Sequence, residues 1–157
     1  MYHHMLIDAG GAARPVATAD LASLLAGALD AGPTYGWRNP APVTKGGLAG
    51  WQLRRVRAHV EAHLQGPIFT STLAEVAQLS TGHFCRAFKA STGETPHGYV
   101  MRQRIRRAQQ LMRDTTDTLS QIACACGMSD QAHLTRLFRR LVGTTPLAWR
   151  RAWQQAG

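Results

Sequence analysis

Acidic residues and lysine are scarce in this 157-residue chain, which holds 9 Asp and Glu against 18 Lys and Arg, with lysine only at positions 45 and 89. Positive charge therefore sits almost wholly on arginine, whose planar fork suits bidentate acceptors better than an ammonium point charge does. Cysteine is equally sparse: three residues, an odd number without framework spacing, exclude a disulfide scaffold and fit a reducing compartment. Cys124 and Cys126 alternate within one short segment, too few for a zinc site, and read as small apolar fillers. No apolar run approaches the roughly 20 residues of a membrane helix, and the start lacks the pattern of a secretion signal. No Ser-His-Asp set, carboxylate pair or phosphate-binding glycine loop is present, so neither enzyme chemistry nor a cofactor is expected. His59 and His63 stand four apart, a metal-ligand spacing, but no third ligand is evident and a solvated helix face is the simpler reading.

What is present is a repeat. Ser80-Thr81-Gly82-His83-Phe84-Cys85-Arg86-Ala87-Phe88-Lys89, then Gly93-Glu94-Thr95-Pro96, recurs 50 positions later as Asp130-Gln131-Ala132-His133-Leu134-Thr135-Arg136-Leu137-Phe138-Arg139, then Gly143-Thr144-Thr145-Pro146. Upstream, Leu73-Ala74 matches Ile122-Ala123 at a spacing of 49, so one residue has been added in the second turn. Each copy reads as a short helix, a turn and a longer arginine-bearing helix, which is the outline of a helix-turn-helix. The charge is localised with it. Residues 1–50 are neutral, whereas residues 51–157 hold fifteen basic and six acidic side chains, an excess equal to the whole net charge of +9. A balanced segment beside a strongly basic one points to a polyanion partner, double-stranded DNA, and to a cytoplasmic, nucleoid-associated protein with no membrane partner.

The expected fold is all-α: seven helices over residues 51–157, with helix-turn-helix units at about 70–91 and 119–142 joined by a long linker helix. A short, poorly structured segment over 1–50 precedes them. Within it, Thr18 to Asp30 can form one helix with Leu21, Leu24, Leu25 and Ala28 on one face, and Gly32 to Gly50 reads as a Gly/Pro linker. That segment is too small for a ligand-binding domain, so no effector is expected within this chain. In the basic part, Trp51 to Leu64 is predicted helical and stopped by Gly66-Pro67. Thr95-Pro96 opens the linker helix to about Met112, with Arg102, Arg104, Arg106, Arg107 and Arg113 on its polar face, and Thr118-x-x-Gln121 is a capping box.

In the longer helices, Phe84 and Phe88, or Leu134, Leu137, Phe138 and Leu141, make an apolar stripe. The opposite face carries Thr81, Gly82, Cys85 and Arg86 in one copy and Gln131, Ala132, Thr135 and Arg136 in the other. An exposed helix fits the major groove, where arginine can donate two bonds to guanine and glutamine can pair with adenine. Arg86, Arg136 and Gln131 are the leading candidate base readers; Thr135, Ala132 and Cys85 are placed for thymine methyls or neighbouring base edges, and Thr81 and Gly82 complete the candidate base-reading set. Lys89, Arg139 and Arg140, one turn further on, are assigned to phosphates. His83 and His133 are assigned a packing or helix-supporting role in preference to a phosphate contact.

These residues resemble the AraC/XylS family of transcriptional regulators over about residues 51–152. The most specific piece is Ile122-Ala-Cys-Ala-Cys-Gly-Met-Ser-Asp-Gln-Ala-His-Leu-Thr-Arg-Leu-Phe-Arg-Arg with Gly143-Thr-Thr-Pro-Leu-Ala-Trp-Arg150. The resemblance implies recognition helices entering successive major grooves and a regulator of transcription, commonly an activator near RNA polymerase. Three departures fall in the first copy. Gln78 stands where the turn usually has glycine, as at Gly127. Phe69 and Thr70 stand where Thr118 and Leu119 serve the second copy, and Gly82 offers no side chain where the family often has a contact. A weaker first unit is therefore expected. The competing reading is a regulatory interaction protein that binds RNA polymerase or a full-length family member with weak DNA specificity, motivated by that weak unit and by the arginine-rich linker helix.

Overall fold

A computed structural model describes residues 5–7, 13–15 and 45–156. Two three-residue strands, β1 (Met5–Ile7) and β2 (Ala13–Pro15), pair antiparallel with Leu6 opposite Arg14. The sequence reading did not anticipate them, because three residues are too few for a period of two to show. The helix expected over 18–30 lies outside the described residues. Seven helices then follow: α1 (Gly50–Ala62), α2 (Thr70–Val76), α3 (Thr81–Thr92), α4 (Pro96–Asp114), α5 (Leu119–Ala125), α6 (Gln131–Val142) and α7 (Pro146–Ala156). The linker ends earlier than predicted: Leu48 is buried in the core and its amide donates to Ser91 Oγ at 2.7 Å.

The repeat in sequence is a repeat in hydrogen bonding. Gln78 N–H donates to Glu75 O and Leu79 N–H to Ala74 O; 49 residues on, Gly127 N–H donates to Cys124 O and Met128 N–H to Ala123 O. After the turn the offset becomes 50. Gly93 and Gly143 close α3 and α6 in the left-handed conformation, φ 78° and 84°, where glycine carries no steric penalty. Thr95 and Thr145 side chains accept from Gly98 and Ala148 N–H, capping α4 and α7. Phe88 meets Tyr99 edge-on at 5.5 Å, as Phe138 meets Trp149 at 6.0 Å. Ser129 is the added residue, and it lies between the turn and the helix, so α6 keeps its register.

The α4 helix serves both halves. It packs on α3 near its start and on α5, α6 and α7 beyond, and its 19 residues span about 28 Å at 1.5 Å per residue. Val100, Ile105, Ala108 and Met112 face the core. Met101 and Arg104 are also buried, and the burial of Arg104 corrects the expected polar face. Arg104 is 7% exposed and donates from Nη2 to Gly66 O at 2.7 Å. Arg102 pairs with Glu94 and lies over the Tyr99 ring, and Arg113 lies over Trp153. Arg106, Arg107 and Arg113 of the five remain exposed, Arg102 is half-buried and Arg104 is buried.

The two units differ in how well their ends are satisfied. Thr118 and Gln121 form the predicted reciprocal cap on α5, whereas Phe69 begins α2 with no side-chain cap and is 63% exposed. A missing cap of this kind costs about 1 kcal/mol. Asp130 accepts from His133 N–H at 2.6 Å, and Ser80 makes no such bond. Accepting that backbone bond is the main reason the Asp130 carboxyl is held below its usual range, with Ser129 and Arg136 adding to it. Gln78 sits at φ 58°, the one left-handed non-glycine among the described residues. Its side chain is exposed, so replacing it with glycine relieves backbone strain and loses no packing. Against this, glycine gains more freedom in the unfolded chain. Gln78→Gly is expected to stabilise the protein by about 0.5–1 kcal/mol, read as a higher urea midpoint at unchanged slope; a lower midpoint would refute the strain argument.

Candidate nucleic-acid interface

Helix α3 is anchored by Phe84, Ala87 and Phe88, all buried, and α6 by Leu134, Leu137 and Phe138. Leu141, expected to extend the second stripe, is 45% exposed, and Val142 packs against the core in its place. With the apolar faces fixed inward, the candidate readers fall outward. Thr81, Gly82 and Arg86 are exposed and Cys85 half-buried; Gln131, Ala132 and Arg136 are exposed and Thr135 half-buried. Lys89, Arg139 and Arg140 are exposed one turn further along. All eleven candidates thus retain access to solvent.

Local bonds decide what some of these side chains can offer. Thr135 Oγ donates to Gln131 O at 2.9 Å, which occupies its hydroxyl proton and leaves the methyl as its distinctive outward group. Ser120 Oγ on α5 donates to Gln131 Oε1 at 2.9 Å. That bond holds the amide with its NH₂ free to donate, while the oxygen keeps a second lone pair. Sequence reasoning missed Ser120, whose contact with Gln131 depends on how α5 crosses α6. In the first copy Arg86 folds back along the helix, and a Cβ at Gly82 would lie 3.8 Å from Arg86 Nη1.

Other assignments divide. His133 is half-buried with Nδ1 3.2 Å from Ser129 Oγ, consistent with supporting the helix start, whereas His83 is exposed. Cys126 is buried, where desolvation pushes its thiol up to about 11, so it is a neutral filler as expected; Cys124 is exposed and is not. His59 and His63 stack at 4.2 Å, with His63 Nδ1 2.7 Å from His59 O. No group of three or more His, Cys, Asp or Glu among the described residues could hold a metal, and no helix among them is long and apolar enough to cross a membrane.

Two stacked copies of a short helix, a tight turn and an outward arginine-bearing helix define a double helix-turn-helix module. Residues 73–152, just over half of the chain, match the family model described as a helix-turn-helix domain. An AraC-type DNA-binding domain-containing transcriptional regulator from Chromobacterium violaceum has the same fold, with a TM-score of 0.63 at 30% identity, covering 68% of this chain and 95% of that one. The DNA-binding domain of the global transcriptional factor AdpA, solved with a target DNA, gives a TM-score of 0.63 at 29% identity over the same shares. The transcriptional activator RhaS of Enterobacter sp. (strain 638) is 35% identical over 95 residues, which are 60% of this chain and 34% of RhaS. The chain belongs to the AraC/XylS family and carries its helix-turn-helix DNA-binding region. It matches only about a third of the length of the curated relatives.

Proposed function

We propose that residues 51–157 form a DNA-binding unit, with residues 1–50 an appended segment, and that α3 and α6 enter successive major grooves on one side of the duplex. Arg86, Arg136 and Gln131 lead the reading of base edges in this proposal; Thr81, Gly82, Cys85, Ala132 and Thr135 complete the base-reading set; Lys89, Arg139 and Arg140 hold phosphates. The observation that carries the reading is that Arg86 and Arg136 recur 50 residues apart, each exposed on a helix whose opposite face is buried. The chain acts as a transcription regulator, and as an activator near RNA polymerase by likeness to RhaS, which is described as an activator. The linker-helix motive for the competing partner-binding reading weakens only in part: Arg102 and Arg104 are engaged within the fold, while Arg106, Arg107 and Arg113 stay exposed.

Selection of the purified chain against random duplexes tests this directly. The expected motif has two blocks whose centres lie about one helical turn, roughly 34–36 Å, apart. Binding to every duplex alike, with steep salt dependence and no enriched motif, would sink the base-reading proposal and return the partner-binding reading to the front.

A further inference from the structure

The turn of the second unit rests against the end of the first helix. A Cβ built on Gly127 would stand 2.3 Å from Leu64 O and 2.9 Å from Gln65 O, so only a bare α-carbon fits. Those carbonyls belong to the turn that follows α1, closed by Gly66 N–H donating to His63 O at 3.1 Å. The next carbonyl, Gly66 O, accepts from Arg104 Nη2, and that same nitrogen would be 3.0 Å from the Gly127 Cβ. A guanidinium is a fitting neighbour there, since the carbonyls past a helix C-terminus carry partial negative charge. The first copy supplies an internal control. Its equivalent turn residue, Gln78, shares the left-handed backbone but is exposed and keeps a full side chain. The need for glycine at 127 therefore arises from the approach of the other unit as well as from its own φ.

Two bodies joined by a single helix can still swing about that helix and bend along it. A contact away from the helix axis removes this freedom. We infer that Arg104 and the carbonyls of Leu64 to Gly66 clamp the Gly127 turn, so that Arg104, as a positioning residue, sets which separation between two DNA blocks the chain accepts. The spacing part of this inference rests on the two-block reading proposed above; the clamp itself does not.

The experiment compares duplexes carrying both selected blocks at the preferred spacing and at one base pair more or fewer, each step moving the second block by about 3.4 Å and 34–36°. Wild-type protein is expected to lose at least about tenfold in affinity on either shift. Arg104→Met should bind a single block as wild type does yet separate the three spacings by less than about threefold, and Arg104→Lys, which retains the charge and one donor nitrogen, should recover part of the preference. A role confined to stability would weaken all three spacings equally. Equal wild-type binding to the three, or an undiminished preference in Arg104→Met, overturns the inference. Residual dipolar couplings on the wild-type chain, without DNA, decide the clamp even if selection yields only one block or Arg104→Met does not fold. One alignment tensor common to residues 50–92 and 119–156 supports it, and two independent tensors refute it.

Discussion

Gly127→Ala is expected to destabilise the protein by about 3 kcal/mol or more, with the loss concentrated in α5 to α7. Overpacking in a tight site costs about 1–3 kcal/mol, and here the obstructing atom is a backbone carbonyl only 2.3 Å from the added carbon, which cannot rotate away. A side chain at φ 68° adds about 1 kcal/mol more. Against a typical total of 5–15 kcal/mol this is a large fraction. Urea unfolding followed by tryptophan fluorescence checks it, since Trp149 of α7 is buried against Phe138 of α6 and stacks on Trp153. The same turn position in the first unit should respond with the opposite sign, Gln78→Gly gaining stability. If Gly127→Ala unfolds at the wild-type midpoint, the close approach of the two units is wrong.

Arg136→Ala is expected to relax sequence preference in one block only. A good bidentate contact to guanine contributes about 1–3 kcal/mol of discrimination, or about 5- to 150-fold in relative affinity. Arg139→Ala should behave differently, weakening binding to every sequence by a similar factor and lowering the salt slope by about one. Arg86→Ala should act on the other block. The comparison by competitive titration over point-substituted duplexes separates reader from anchor within one helix. Uniform weakening by Arg136→Ala, with no change in preference at any base pair, would demote it to a phosphate contact.

The helix starts were legible because caps are local. Thr95-Pro96, Thr118-x-x-Gln121 and Thr145-Pro146 each settle a boundary within four residues, and each cap is present in the structure. The two copies were legible because a repeat compares the chain with itself, and it led to Gly127 and to the strained Gln78. Arg104 was misplaced although a signal existed: it stands four residues from both Val100 and Ala108, on the apolar row of α4. Four neighbouring arginines at polar positions obscured it, and its partner, Gly66 O, is 38 residues away. The Ser120 contact to Gln131, the burial of Leu48 and the differing fates of Cys124 and Cys126 likewise depend on how helices cross. No local pattern specifies that. The candidate readers themselves were accessible to sequence reasoning, since helical spacing alone separates their face from Phe84, Phe88, Leu134 and Phe138.

The seating of Gly127 on the carbonyls of residues 64 and 65 also bears on how such proteins can be recombined. A chimaera that exchanges one DNA-reading half for that of a relative is naturally cut within α4, which looks like a neutral bridge. In this chain the cut would divide a matched surface, leaving one parent's glycine and arginine facing another parent's loop. Transplanting the second half intact requires the segment from His63 to Gly66 to travel with it, although that segment lies more than 50 residues upstream of α5 in the chain.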